Sequence, residues 1–261
     1  METLIRVKGV SKIYQTIAGD AVRALEDVSF EVPKGSFIAV VGPSGCGKST
    51  LLKILAGILP KSGGEVTLHN APVEGPRHDI GIVFQDPILL PWRTVFENVM
   101  LPAQIQGLDR NTYNQRALSL IRLVGLSGVE NKYPNELSGG MQQRVSIARA
   151  LLHDPTILLM DEPFGALDAM TREYMNLELL RIWQSSEKTI FFITHSISES
   201  VFLSDQVIVL SDRPGRIEDC VPVNLPRPRQ LSMTATPEFN RLVEYIRSRL
   251  DINGILRNDE P

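Results

Sequence analysis

The fold is decided by residues 37–50, which read FIAVVGPSGCGKST: five apolar residues, a glycine-rich loop, and the start of a second pattern. The continuous apolar run from Phe37 to Val41 is typical of a strand buried on both faces. From Ser49 to Ala56 the pattern is helical, and Gly57 ends it. The stretch therefore predicts a buried strand, a tight loop and a helix in direct succession.

The loop between this strand and this helix matches G-x-x-x-x-G-K-[ST], the pattern of a phosphate-binding loop. Glycines let the backbone turn its N–H groups toward phosphate oxygens, and the helix start adds its positive dipole end. Lys48 would neutralise the β- and γ-phosphates, and the Ser49 hydroxyl could ligate Mg²⁺. The predicted nucleotide-binding residues here are Gly42, Pro43, Ser44, Gly45, Cys46, Gly47, Lys48, Ser49 and Thr50.

Cys46 lies inside this loop, beside Lys48 and a helix start. Both features lower the pKa of a thiol and raise its reactivity. We therefore predict that alkylation of Cys46 inhibits nucleotide hydrolysis and that nucleotide protects against it. The alternative is that Cys46 is a small apolar side chain that fills space.

Outward from this stretch, strand and helix signals alternate along the chain. Further strands are predicted around Leu4 to Val10, Val22 to Val32, Glu65 to Leu68, Ile80 to Phe84, Ile157 to Met160, Thr189 to Thr194 and Gln206 to Leu210. Helices are predicted at Met170 to Trp183 and Ser196 to Leu203, and the whole stretch from Thr94 to about His153 has a helical pattern. This order implies a mostly parallel α/β sheet interrupted by an all-helical insertion.

The C-terminal tail has a different composition. Residues 211–236 are rich in proline and arginine, so we predict turns and extended segments there. Thr236, Pro237 and Glu238 then resemble a helix N-cap, first-turn proline and first-turn acid. An apolar stripe follows, made of Phe239, Leu242, Val243, Ile246 and Leu250, which predicts a terminal helix docked on its own domain rather than on a partner.

Composition narrows the class of protein. The 261 residues carry a net charge of −3 and a pI near 5.9, which argues against a general nucleic-acid binder. Two cysteines fit a reducing, cytosolic compartment. The N-terminus is charged and unlike a signal peptide, and no apolar run reaches the ~18 residues of a membrane span. We expect a chain that does not cross a membrane by itself.

Two acidic residues, Asp161 and Glu162, end the apolar strand Ile157 to Met160. A carboxylate at the end of a strand beside a phosphate-binding loop can hold Mg²⁺ through water, and we assign this role to Asp161. Glu162 is placed to polarise an attacking water as a general base. The alternative is a pair of solvated acids at a strand end.

A second phosphate-binding helix start lies at residues 137–144, which read LSGGMQQR and precede a helical stretch. This segment resembles the LSGGQ signature of ABC-transporter ATPases. The order of motifs is also similar: phosphate loop, Gln85, signature, Asp161-Glu162, and then His195. The resemblance covers roughly residues 4 to 215. Position 141 is Met where the common signature has Gln, which leaves the serine and backbone contacts intact.

The resemblance implies roles for residues outside the phosphate loop. Tyr14 would stack on adenine, although a core tyrosine is the alternative. Gln85 would ligate Mg²⁺ and report the nucleotide state to a membrane partner, unless it is a plain strand-end amide. His195 would contact the γ-phosphate and act in catalysis with Glu162.

The resemblance also implies contacts between two copies of the chain. Ser138, Gly139 and Gly140 would contact the γ-phosphate held by the opposite subunit. Asp168, in the segment Gly165 to Asp168, would cross the dimer interface. The implied cofactors are ATP and Mg²⁺, the latter held by Ser49, Gln85 and Asp161.

Several segments resemble the branch that serves nitrate, aliphatic sulfonate and taurine importers: residues 90–99 (LPWRTVFENV), 163–168 (PFGALD) and 211–215 (SDRPG). In the first, Pro91, Trp92 and Phe96 would offer an apolar groove beside Arg93 to the coupling helix of a membrane subunit. The alternative is that these residues form the core of the helical insertion.

The resemblance implies an α/β fold: a P-loop NTPase (RecA-like) core with an antiparallel β subdomain and an inserted α-helical subdomain. Residues 1–86 and 157–215 would form the core with its β subdomain, 87–156 the helical subdomain, and 216–261 the tail. The implied function is hydrolysis of ATP by a homodimer at the cytoplasmic face of the inner membrane. It would be bound to permease subunits and served indirectly by an extracytoplasmic solute-binding protein. An importer of another small solute such as a vitamin precursor, an exporter subunit, and a soluble ATPase acting on DNA or ribosomes are the alternatives.

Overall fold

The computed structural model describes residues 2–15, 20–185 and 188–250. They belong to two compact units, Met1–Pro76 with Phe191–Pro261 and Arg77–Ile190. The division predicted from the sequence, with boundaries after 86, 156 and 215, stays a prediction. Residues 251–261 of the predicted tail lie outside the described residues.

The strands follow the sequence closely. They are β1 (Thr3–Gln15), β2 (Ala21–Pro33), β3 (Phe37–Val41), β4 (Gly63–Leu68), β5 (Ala71–Pro72), β6 (Ile80–Val83), β7 (Ile157–Asp161), β8 (Thr189–Ile193), β9 (Gln206–Leu210) and β10 (Ile217–Pro222). All but β5 and β10 agree with the prediction to within two residues, except that β1 continues five residues beyond Val10.

The helices are α1 (Lys48–Leu55), α2 (Val95–Val99), α3 (Leu101–Ile105), α4 (Arg110–Leu123), α5 (Gly139–Leu151), α6 (Ala169–Gln184), α7 (Ile197–Leu203) and α8 (Pro237–Leu250), with 3₁₀ turns at Pro134–Glu136 and Leu231–Ala235. Over the described ranges, none of them combines the length and the apolar character that a membrane crossing requires.

The first unit contains an antiparallel sheet, in which β1 lies between β2 and β4 and β5 follows β4. It also contains the buried strand β3, which pairs in parallel with β9 from Ile38 opposite Gln206 to Val41 opposite Val209. All five residues of β3 are buried, as a strand covered on both faces requires. The end of this strand therefore gives the phosphate loop a rigid base.

The tail differs in part from the prediction. Ile217–Pro222 is a strand that pairs antiparallel with β9, where only turns and extended segments were expected. Prolines near both ends of this short strand disfavour a strand prediction from the sequence. A proline is nevertheless tolerated at the end of a strand at a sheet edge. The terminal helix is confirmed: Thr236 Oγ1 accepts from the N–H of Phe239, and α8 packs on α7, β9 and β10 of its own unit.

The second unit holds the parallel pair β6 and β7 and the predicted helical stretch. Helices α2, α4 and α5 begin where side chains satisfy the first free N–H groups. Thr94 and Glu97 form a capping box at α2, Asp109 caps α4, and Ser138 caps α5. Local sequence thus fixes where these three helices start, including the one that carries the signature segment.

Candidate active site

The phosphate loop runs from the end of β3 to the start of α1 and contains a buried positive charge. Lys48 is only 7% exposed, and its Nζ donates to the carbonyl oxygens of Gly42 at 2.8 Å and Pro43 at 2.9 Å. A buried ammonium is costly unless charge or polar groups compensate it. The loop is therefore suited to an anion with several oxygens, such as a polyphosphate.

Close backbone packing fixes the shape of this loop. Gly45 and Gly47 have φ of 78° and 107°, values that residues with a side chain rarely adopt. A Cβ at Gly47 would lie 2.7 Å from the Leu25 side chain and 2.8 Å from the Ala24 carbonyl oxygen. On the other side, a Cβ at Gly215 would lie 2.1 Å from the Cys46 carbonyl oxygen.

The expected low pKa of Cys46 is wrong. Its side chain is fully buried, and burial raises the pKa of the thiol, while the charge of Lys48 acts in the opposite direction with smaller effect. The Sγ atom faces Gly42, where a Cβ would come within 2.8 Å of it. The structure thus favours the alternative that Cys46 fills space. The free-energy cost of burying a thiolate is larger than its attraction to the nearby Lys48 ammonium.

Tyr14 lies beside the phosphate loop rather than in the core. Its side chain is 37% exposed, and its hydroxyl is 3.2 Å from the Thr50 hydroxyl in the first turn of α1. The Lys12 ammonium lies over the ring, 5.2 Å from its centroid, and donates to the Pro60 carbonyl oxygen at 2.6 Å. The contact between Lys12 and the Tyr14 ring is not predicted from the sequence, because a lysine two residues from a tyrosine on a strand gives no signal of it.

In the second unit, Asp161 is the last residue of β7 and Glu162 follows it. Asp161 is 4% exposed, so its carboxylate is withdrawn from bulk water. Glu162 has φ of 46°, a strained backbone conformation of the kind that clusters at functional sites. The Gln85 side-chain amide donates to the Glu162 carboxylate at 3.2 Å, so two residues predicted separately are brought together.

The signature segment forms a capped helix start. Ser138 Oγ accepts from the N–H of Met141 at 3.3 Å, and Ser138 and Gly139 are exposed. A Cβ at Gly140 would meet the Leu167 side chain at 3.1 Å and the Ala166 carbonyl oxygen at 3.3 Å. The signature therefore packs against the segment that precedes Asp168 in the same chain.

Asp168 and His195 lie at exposed element boundaries. The Asp168 carboxylate caps α6 by accepting from the N–H and hydroxyl of Thr171, and these bonds, the hydroxyl's first, lower its pKa. His195 follows β8 in the first unit and is exposed. Next to it, the Thr194 hydroxyl donates to the buried Glu199 carboxylate at 2.5 Å, which fixes the turn that presents the histidine.

Trp92 is 70% exposed, and Pro91 beside it is also exposed. The core of the helical stretch is made instead by residues such as Val95, Val99 and Met100. The alternative that Pro91, Trp92 and Phe96 belong to that core is therefore wrong for Pro91 and Trp92.

Comparisons of the sequence and of the structure with known proteins agree on one family. Residues 25–165 match the family model described as ABC transporter. The chain is 47% identical over 260 residues to the taurine import ATP-binding protein TauB of Rhizobium johnstonii, covering 98% of this chain and 99% of that one. It is 42% identical over 239 residues to the aliphatic sulfonates import ATP-binding protein SsuB of Bacillus cereus, covering 92% and 94%.

Among solved structures, the chain is similar to a dimeric ATP-binding cassette in a post-hydrolysis state bound to ADP and Pi. The TM-score is 0.78 at 32% identity, and the match covers 85% of this chain and all of that one. The predicted P-loop NTPase fold, with its antiparallel sheet and inserted helices, is thereby confirmed.

Proposed function

Because this chain belongs to the ABC transporter family, as an ATP-hydrolysing cassette, we propose that it powers an importer of small organic anions of the taurine or aliphatic sulfonate kind. The observation that carries the proposal is the presence in one chain of two helix starts suited to phosphate. One is the phosphate loop with its buried Lys48, and the other is the exposed, Ser138-capped start of α5.

In this proposal two copies of the chain bind two ATP molecules head to tail. The phosphate loop of one copy holds the β- and γ-phosphates, and residues Ser138 to Gly140 of the other copy contact the γ-phosphate. Tyr14 stacks on adenine, which the exposed ring beside Thr50 supports. Asp168 lies at the interface of the two copies.

The hydrolytic step is assigned to Glu162 and His195. The Glu162 carboxylate accepts a proton from a water whose oxygen attacks the γ-phosphorus, while the bond to the ADP oxygen breaks. The amide of Gln85 holds this carboxylate in place. His195 contacts the γ-phosphate and stabilises the charge on it.

The side chains predicted for Mg²⁺ fit a metal that arrives with nucleotide. Within the described ranges no group of three or more His, Cys, Asp or Glu side chains could hold an ion by itself. Magnesium in ATPases is commonly held by one or two carboxylates together with substrate phosphates and waters. We propose that the buried Asp161 is such a carboxylate and that the Ser49 hydroxyl and the Gln85 amide oxygen are further ligands, and bound Mg²⁺ would neutralise charge on the phosphates.

The remaining partners are permease subunits in the membrane, which would hold this chain at the cytoplasmic face of the inner membrane. The exposed Pro91 and Trp92, with the partly exposed Phe96 and Arg93, support docking of a permease segment after Gln85. An extracytoplasmic solute-binding protein would deliver the solute and contact this chain only through the permease.

The proposal is tested by Glu162→Gln in the isolated chain, with Glu173→Gln, an exposed residue of α6, as the control that changes charge equally. Glu162→Gln should keep ATP binding and slow turnover by about 10²–10⁴-fold, the contribution of a positioned general base. Near-normal turnover would remove Glu162 from this role. The transport function is tested with the permease in vesicles, where taurine or an aliphatic sulfonate with its binding protein should stimulate ATP hydrolysis.

A further inference from the structure

The segment from Phe84 to Arg93 contains Gln85, the exposed Trp92 and, between them, a residue with a strained backbone. Ile88 has φ of 43°, which is a genuine outlier for a β-branched side chain. Its side chain is 60% exposed, so burial of apolar surface does not hold it in this conformation. Strain of this kind persists only where surrounding groups fix the backbone.

Arg149, in the last turn of α5, supplies such a restraint. Its Nη1 donates to the Ile88 carbonyl oxygen at 2.8 Å and its Nη2 to the Pro87 carbonyl oxygen at 2.9 Å. The planar guanidinium presents donors in a fixed fork, which suits two successive carbonyls. Burial lowers the pKa of this guanidinium, and a donor withdrawn from water makes stronger bonds to carbonyl dipoles.

A second side chain of α5 holds the segment on the other side of Gln85. Gln143 is 1% exposed, and its amide donates to the Phe84 carbonyl oxygen at 2.9 Å. Gln85 therefore lies between two backbone positions that are both bound to α5. The same helix begins at the signature segment, one residue after Ser138.

We propose that Arg149 is a positioning residue that ties the strained segment after Gln85 to helix α5, so that a displacement of the signature helix start is passed to the segment that carries Trp92. The inference rests on the proposed function, since it names how the nucleotide state would reach the permease. The bonds that Arg149 donates go to Ile88 and Pro87, neither of which is a predicted nucleotide-binding or catalytic residue.

The chain offers a matched control on the same helix. Arg144 also uses a guanidinium to bind two successive carbonyls, those of Val124 at 3.0 Å and Gly125 at 3.2 Å. These belong to the end of α4 and the loop after it, away from Gln85. Arg149→Met and Arg144→Met each remove two bonds to successive carbonyls, made by Nη1 and Nη2 in Arg149 and by Nη1 alone in Arg144, and only the first removes bonds to the segment after Gln85.

The experiment measures ATP hydrolysis in two settings: the isolated chain, and the complete complex in vesicles with and without taurine and its binding protein. For Arg149→Met we expect hydrolysis by the isolated chain to stay within about twofold, while stimulation by solute falls by about tenfold. Arg144→Met should keep stimulation. Full stimulation in Arg149→Met would overturn the inference, whereas absence of hydrolysis in the unsubstituted isolated chain would instead contradict the proposed function.

A second measurement covers the case in which Arg149→Met does not fold. Arg149→Lys keeps the positive charge but loses the planar guanidinium, so it should weaken the bonds to the Pro87 and Ile88 carbonyls without removing them all. In a Trp183→Phe, Glu162→Gln background, fluorescence reports on Trp92 alone, since the chain has two tryptophans. ATP should change this emission, and Arg149→Lys should reduce the change while Arg144→Lys does not. An equal change in both variants would overturn the inference.

Discussion

The phosphate loop and the segment after Gln85 are both short connections that leave the end of a buried strand, and both contain residues with positive φ. In the phosphate loop those residues are Gly45 and Gly47, which adopt such angles at little cost. In the segment after Gln85 the residue is Ile88, whose carbonyl oxygen accepts from Arg149, 61 residues further along the chain in α5.

The two connections differ in which residues determine their shape. The phosphate loop is determined by its own sequence and by close packing against Leu25 and Gly215. The segment after Gln85 is held by side chains from elsewhere, including Asn98, which binds two of its carbonyls, those of Leu90 and Arg93, and the N–H of Leu90. A shape held from outside can change when its restraints move, whereas a locally determined shape stays constant.

The largest effect is expected for the charge of the phosphate loop. Lys48→Met should weaken ATP binding by about 100-fold, equivalent to about 3 kcal/mol for lost charge-assisted bonds. Titration with a fluorescent ATP analogue measures it. Lys53→Met, an exposed residue of the same helix, is the control and should bind normally. Comparable weakening in both variants would mean that the charge acts at long range and not in the loop.

The next effect concerns backbone shape in the loop. Gly47→Ala should lower the free energy of unfolding by about 3 kcal/mol, because it adds positive-φ strain to a backbone clash. Gly139→Ala has open space around its Cβ and no positive φ, so it should cost far less. Urea denaturation of both variants gives the comparison. Equal losses would show that the loop is not determined by its glycines.

A smaller loss of stability is expected for the segment after Gln85. Asn98 is fully buried, and Asn98→Ala removes the bonds to the Leu90 N–H and the Arg93 carbonyl oxygen, which should cost about 2 kcal/mol. Asn240→Ala, exposed on α8, should leave stability nearly unchanged. Hydrogen exchange at residues 84–94 should rise in Asn98→Ala. Unchanged exchange there would indicate that the segment keeps its shape without outside support.

The smallest effect concerns Cys46 in the packed loop. Because burial raises the pKa of its thiol, the thiolate fraction at neutral pH is low and should grow as the pH rises. In a Cys220→Ser background, alkylation of the folded chain should be at least about tenfold slower than in urea. Equal rates in the two conditions would mean that the loop opens readily.

Much of the fold could be predicted from the sequence, because the decisive elements are marked locally. The buried run Phe37 to Val41, the glycines of the loop, and the caps at Thr94, Ser138 and Thr236 each carry their own signal. Strand β10 was missed because flanking prolines obscure a strand whose existence depends on pairing with β9.

The residues of the candidate site could be predicted from the sequence, but the side chains that hold them in place could not. The phosphate loop, Gln85 and Glu162 follow from motifs, whereas the contacts of Lys12 and Arg149 depend on tertiary packing. For Cys46, the neighbours in sequence suggest a thiol with a lowered pKa, whereas burial raises that pKa. Burial is a property of the folded chain, so sequence proximity alone could not decide it.

The most direct test of the central claim is a structure of the Glu162→Gln variant with ATP and Mg²⁺. We predict two copies of the chain, with each triphosphate held by Lys48 of one copy and by Ser138 to Gly140 of the other. A structure in which residues 138–140 lie far from every bound triphosphate would contradict it.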